Sequence, residues 1–151
     1  MAINGMPGHL IRRMHQASTA IFDAEIRKQG YDLTPVQFAA LTFIDARPGL
    51  DQATLASAIA YDRVTIGGVI DRLEQKGLVR REIAKGDRRS RRLHLEPAGK
   101  MVLAGATPIV RQVQYSMLKG LSETEGATLL RKELDAVGNS SCTQSQPAAK
   151  T

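Results

Sequence analysis

The chain has 151 residues and a net charge of +6, enough for one domain or one domain with an oligomerisation extension. Its single cysteine, Cys142, excludes an intrachain disulfide framework and a Cys-rich metal site. Six aromatic residues and no tryptophan leave little with which to stack single-stranded bases.

No apolar run approaches the roughly 18 residues of a membrane span, and no basic segment leads into a signal-peptide core. The expectation is a soluble cytoplasmic protein. Residues 1–7 carry no periodic pattern. From Gly8 to Gln29, apolar residues at Leu10, Ile11, Met14, Ala17, Ile21, Phe22 and Ile26 recur in steps of three and four, the pattern of an amphipathic helix. Gly30 ends it. Thr34-Pro35 starts a second helix, with Thr34 as N-cap and Pro35 in the first position. Its expected inner face is Val36, Ala39, Ala40, Phe43 and Ile44. Asp51 caps a third helix, Gln52 to Ile59, and Asp62 caps a fourth, Arg63 to Lys76. The inner face of the fourth is Ile66, Val69, Ile70 and Leu73, and Gly77 is its stop.

Leu78 to Ile83 reads as a strand, residues 84–90 as a hairpin loop, and Arg91 to Leu95 as the return strand. A long helix follows from about Ala98 to Gly120, with an expected kink at Pro108. Ser122 and Glu125 form a capping box for a last helix carrying Leu129, Leu130, Leu134 and Val137. Beyond Gly138 the polar, low-complexity composition predicts disorder.

Charge is concentrated in one place. Arg80 to Arg92 holds seven basic and two acidic side chains, a net +5 of the total +6. Taken alone, such a run is either a solvated loop or an anion-binding hairpin. Placed after two short helices joined by a tight turn, it completes the order of a winged helix-turn-helix, and a charged hairpin there suits a phosphate backbone. The fold class is therefore mainly α with a small β-hairpin (α+β). The N- and C-terminal helices have apolar stripes too wide for a single small domain to bury, so they are read as dimerisation helices. The divisions are 1–33 for the arm and first dimerisation helix, 34–97 for the DNA-binding region, 98–138 for the C-terminal dimerisation helices and 139–151 for the tail.

The stretches Ala53-Thr54-Leu55-Ala56, Asp62 to Thr65, Val69 to Arg81, Asp87-Arg88-Arg89-Ser90 and Leu93 to Gly99 resemble the MarR family of bacterial transcriptional regulators. The resemblance covers residues 9 to 137. It implies a dimeric winged-helix protein, in most members a repressor, and in many one that leaves its operator on binding a small aromatic anion. It also implies that Arg89, held by Asp87 across the turn, enters a minor groove. Gly67-Gly68 departs from the family, which often carries polar or long side chains there.

Helix-turn-helix docking puts the start of the fourth helix in the major groove, so Arg63, Thr65, Gly67 and Gly68 are the candidate base-facing residues. The two glycines either let the backbone approach the groove floor or relieve crowding against a neighbouring helix. Narrow minor grooves attract arginine, which suits Arg89, with Lys85, Arg88 and Arg91 as phosphate neighbours. Thr54 and Ser57 are further phosphate candidates. Arg72 either meets phosphate or pairs with Asp71 or Asp87 to brace the wing.

For an effector, Arg13, His15 and Ser18 on the first helix, with His9 one turn earlier, can receive a carboxylate or phenolate, and Tyr31, Phe38 and Tyr61 can supply walls. Arg13 and His15 equally suit a solvated face or a dimer seam. The resemblance implies a hydroxylated pyridine or benzoic acid as the ligand class, and no cofactor is expected. Cys142 in the tail is poorly placed for redox sensing, and His9, His15 and His94 lack metal-ligand spacing. No phosphate loop, His-Glu-x-x-His or Gly-x-Ser-x-Gly motif supports an enzyme. The remaining alternative is an RNA- or ribosome-associated winged-helix protein without small-molecule control.

Overall fold

A computed structural model describes residues 6–84, 87–129 and 131–132, and the side chains of all of these except 84 and 87–90. The elements run α1 (Pro7–Lys28), α2 (Pro35–Ala46), α3 (Gln52–Ala58), α4 (Arg63–Gln75), β1 (Val79–Ala84), β2 (Asp87–Leu95) and α5 (Pro97–Met117). The chain divides into two compact units after Gln114. The expected tail, with Cys142, and Leu130, Leu134 and Val137 of the last helix lie outside the residues described.

Local signals set the helix starts. Thr34 Oγ1 accepts from the Gln37 N–H (3.3 Å) while Gln37 Oε1 accepts from the Thr34 N–H (3.2 Å), and Pro35 needs no partner. Asp51 and Asp62 accept from the N–H groups of Thr54 (2.9 Å) and Thr65 (2.8 Å), opening α3 and α4. The end of α4 is equally determined. Gly77 takes φ +68°, its N–H reaches Glu74 O at 2.8 Å, and Leu78 N–H reaches Leu73 O at 2.9 Å. That paired arrangement turns the chain directly into β1.

The core is drawn from α1 to α5 and from β2. Ile26, Leu41, Ile44, Leu55, Ile66, Ile70, Leu73, Leu93 and Val113 are fully buried, each burial stabilising by roughly 1.5–3 kcal/mol. On α4 the buried set is the expected one, Ile66, Val69, Ile70 and Leu73. On α2 the expected face is corrected. Gln37, Ala40, Leu41 and Ile44 are buried, whereas Val36, Ala39 and Phe43 are only half-buried. This helix is apolar nearly all round, so spacing alone leaves its inner face undetermined.

The hairpin is longer than expected. β1 and β2 pair antiparallel from Val79↔Leu95 to Ile83↔Arg91, then shift register and pair Ala84 with Asp87. Strand backbone thus extends into the expected loop 84–90. The α2–α3 connection joins the edge of β2: Gly49 N–H donates to Leu93 O (2.8 Å) and Leu93 N–H to Leu50 O (3.0 Å). Arg92 Nη1 adds a bond to Gly49 O at 3.0 Å. The wing is therefore fastened to the helical part at its base.

α5 buries Gly99, Leu103, Ala106, Val110 and Val113 on one stripe. Pro108 lies within this single helix. A Cβ on Gly99 would collide with the carbonyl of Leu78, and one on Gly105 with the Tyr31 ring, so both glycines let the α5 backbone come into direct contact. In the second unit, Ser122 and Glu125 form the expected capping box, with Ser122 N–H donating to Glu125 Oε2 at 2.8 Å and Glu125 N–H to Ser122 Oγ at 3.3 Å.

Candidate nucleic-acid interface and effector groove

Burial of Ile66, Val69, Ile70 and Leu73 fixes the rotation of α4. At 3.6 residues per turn, the opposite stripe is Val64, Gly68, Asp71 and Gln75, and all four are exposed. Arg63 and Thr65 flank this stripe and are also exposed. The Thr65 hydroxyl donates to Asp62 Oδ2 at 2.5 Å, so its proton is held by the helix cap. That bond, with the Thr65 N–H, holds the Asp62 carboxyl below the usual aspartate range. Asp51 is lowered in the same way by the Thr54 hydroxyl and N–H, and Thr54 Oγ1 donates to Asp51 Oδ2 at 2.7 Å.

The two glycines of α4 separate. A Cβ on Gly67 would lie 3.3 Å from Gln52 Nε2 of α3, whereas one on Gly68 would meet nothing within 4 Å. Crowding therefore applies at Gly67, and open space lies outside Gly68.

Arg81, which the sequence reading did not single out, braces the wing. Its side chain is 13% exposed and forms ion pairs with Asp71 (2.6 Å) and with Glu74. Its backbone N–H also donates to Glu74 Oε1 (3.0 Å), and Nη2 reaches Gln52 Oε1 and Gly67 O, each at 3.4 Å. One guanidinium from β1 thus holds α3 and the solvent side of α4. Arg72 makes no ion pair among the described residues; Asp71, its suggested partner, pairs with Arg81 instead. Ser57 and Arg91 are exposed. Lys85 and the side chains of Asp87, Arg88 and Arg89 lie outside what is described.

A second feature lies between α2 and α5. Phe38, Thr42, Asp45 and Ala46 face Lys100, Leu103, Ala104 and Thr107 across a groove of about 470 Å³. Each set has helical spacing, one stripe per helix. Phe38 is held edge-on by Phe22, with ring centroids 6.2 Å apart. Thr42 donates to Phe38 O (2.9 Å) and Thr107 to Leu103 O (2.7 Å), so both hydroxyls present acceptors to the groove. Lys100 and Asp45 make no ion pair among the described residues and bring opposite charges to its rim.

The residues expected to form an effector pocket are not gathered at this groove. Of these seven residues only Phe38 lines it. Tyr31 packs against α5 at Gly105, and Tyr61 is 42% exposed in the turn before α4. Arg13 and His15 are exposed on α1, His9 is half-exposed, and Ser18 bonds back to His15 O at 3.0 Å. α1 buries Phe22 and Ile26 near its C-terminal end, leaving its N-terminal half outside the core of the single chain. Lys100 comes to face Phe38 and Thr42 only because α2 and α5 lie side by side, which sequence spacing does not show. Among the described residues, no three His, Cys, Asp or Glu side chains gather as a metal site, and no helix is long and apolar enough to cross a membrane.

Comparison with known proteins places this architecture. The MarR family pattern matches residues 31–90. The transcriptional regulator HosA of Escherichia coli is 35% identical over 125 residues, 83% of this chain and 90% of that protein. The structure of Bordetella bronchiseptica BpsR, whose DNA binding is regulated by 6-hydroxynicotinic acid, matches with a TM-score of 0.81 and 30% identity, covering 89% of this chain and 97% of that one. The repressor CouR bound to a 23-mer DNA duplex matches at 0.77 with 27% identity, covering 90% and 94%. With its helix-turn-helix, basic wing and near full-length match to a regulator, the chain belongs to the MarR family of DNA-binding transcriptional regulators.

Proposed function

We propose that this regulator is a cytoplasmic homodimeric repressor, released from a palindromic operator when a small aromatic acid enters the groove between α2 and α5. The carrying observation is the chemistry of that groove: apolar walls from Phe38, Leu103 and Ala104, an ammonium from Lys100 and a carboxylate from Asp45. Its volume is in the range of small-molecule sites. Lys100 suits the carboxylate of the ligand, and Asp45 suits an N–H or O–H on its ring. A hydroxylated pyridine acid carries both groups, and the ligand of BpsR supports that class. Dimerisation is supported by Leu10, Ile11 and Met14, 42%, 56% and 52% exposed along one side of α1, apolar surface that a second copy would cover. Arg63 on α4, with Arg89 and Lys85 of the wing, forms the proposed DNA-contacting set. The DNA-bound relative favours duplex DNA over RNA.

Titration of the purified protein with 6-hydroxynicotinic acid and with benzoic acid tests the reading, using calorimetry and release of a selected operator duplex. Saturable binding, operator release and weakening by Lys100→Met are expected. Failure of both acids to bind or to release DNA overturns the effector assignment.

A further inference from the structure

We infer that Val64 selects the operator by packing against a thymine 5-methyl group in the major groove, with the bare Gly68 leaving room for the base edge. The family assignment supplies DNA binding; the effector proposed for the groove has no part in the inference. Val64 is 87% exposed, the most exposed large apolar residue described. It lies on the stripe of α4 diametrically opposite the buried one, in the first turn, where helix-turn-helix proteins meet base edges. Nothing within the helix rewards a valine there: it covers no core, and its β-branched side chain is a poorer helix former than alanine.

The neighbouring positions narrow the chemistry. Thr65 has its hydroxyl proton committed to Asp62. Gly68, one turn on and on the same stripe, offers no side chain and has open space where a Cβ would be. Asp71, next along the stripe, is drawn back by Arg81. The centre of the reading face is thus an isopropyl group beside a hollow. It has no hydrogen-bonding side chain until Asp71, and the one apolar feature of the major groove is the thymine methyl.

The test begins with duplexes selected from random DNA by the wild-type protein. Each thymine of a half-site is then replaced singly by deoxyuridine, which removes only the methyl group. Dissociation constants are measured at one salt concentration for wild type and Val64→Ala. At one thymine the replacement should weaken wild type about fourfold, the factor for losing burial of one methylene-sized group. Val64→Ala should bind the parent duplex more weakly and be indifferent to deoxyuridine at that position, while keeping its response elsewhere. Its melting temperature should not fall, because the position is exposed and alanine favours the helix. Selected half-sites without a deoxyuridine-sensitive thymine would overturn the inference, as would equal sensitivity in wild type and Val64→Ala.

Discussion

Replacing Arg81 by alanine removes a side chain that joins β1, α3 and α4. The ion pair with Glu74 is partly buried, at 13% and 33% side-chain exposure, whereas the pair with Asp71 has a partner 58% exposed. A charge-assisted hydrogen bond of the first kind contributes about 1.5 kcal/mol at the lower end of its range. An exposed pair of the second kind contributes about 0.5 kcal/mol after solvent screening. Arg81→Ala should therefore cost about 2 kcal/mol. At roughly 4 °C per kcal/mol for a domain of this size, the melting temperature should fall by about 8 °C. Arg81→Lys keeps the charge but not the fork that serves Asp71 and Glu74 together, so it should lose about half as much. Melting is followed by circular dichroism at one protein concentration, since an associating protein melts in a concentration-dependent way. Added salt should narrow the gap only in part, because the Glu74 pair is shielded from ions. A drop under 2 °C for Arg81→Ala, or equal drops for alanine and lysine, would refute the assignment of Arg81 as the brace.

The wing and the helix caps carry the remaining expectations. Arg89→Ala should weaken operator binding at least tenfold in a gel-shift titration while leaving melting and dimerisation unchanged, and equal affinity would remove Arg89 from the interface. Lys85→Ala should reduce the slope of log affinity against log salt by about 0.9, the value for one phosphate contact; an unchanged slope excludes that contact. Asp51 and Asp62 have folded-state pKa values below those of the unfolded chain. Their stabilisation is complete above the unfolded value of about 3.9 and is lost as pH falls through the depressed folded values. Stability should thus decline below about pH 4, and the double substitution Asp51→Asn, Asp62→Asn should flatten that decline in denaturant titrations. An unaltered acid slope would show that other carboxylates dominate.

What was readable in the sequence is what short-range rules determine. The caps at Thr34, Asp51, Asp62 and Ser122 each need only a side chain three residues from its partner. The inner face of α4 has polar residues between its apolar ones, so its rotation was determined before any packing was known. α2 lacks that contrast, and burial of Leu41 and Gln37 rather than Val36 and Phe43 depends on where α4 and β2 lie. The groove is a further step removed, since Thr42 and Lys100 meet only when helices more than fifty residues apart are packed together. The same holds for Arg81. In the sequence it is one of seven basic residues between 80 and 92, and only the return of β1 over α4 distinguishes it from the exposed Arg80, Arg91 and Arg92.

The groove proposed for the effector adjoins the elements proposed to contact DNA. Its α5 wall (Lys100, Leu103, Ala104, Thr107) starts one residue beyond Gly99, where the helix backbone meets the Leu78 carbonyl, and spans Gly105, where it meets the Tyr31 ring. Leu78 also closes the end of α4 through its N–H and accepts the Glu96 N–H at 3.0 Å, and the next residue begins β1. A ligand that parts α2 from α5 therefore loads the joint shared by the reading helix and the wing. Gly99→Ala imposes a similar displacement without ligand, because its Cβ cannot coexist with the Leu78 carbonyl at the present separation. Overpacking of this kind costs about 1–3 kcal/mol, partly offset by about 1 kcal/mol of helix propensity, so the protein should remain folded. Its operator affinity without ligand should fall, and 6-hydroxynicotinic acid should release it by a smaller factor than wild type. If Gly99→Ala bound operator as tightly as wild type and kept the full response to the acid, the Leu78 joint would not be the route by which the groove reaches the wing.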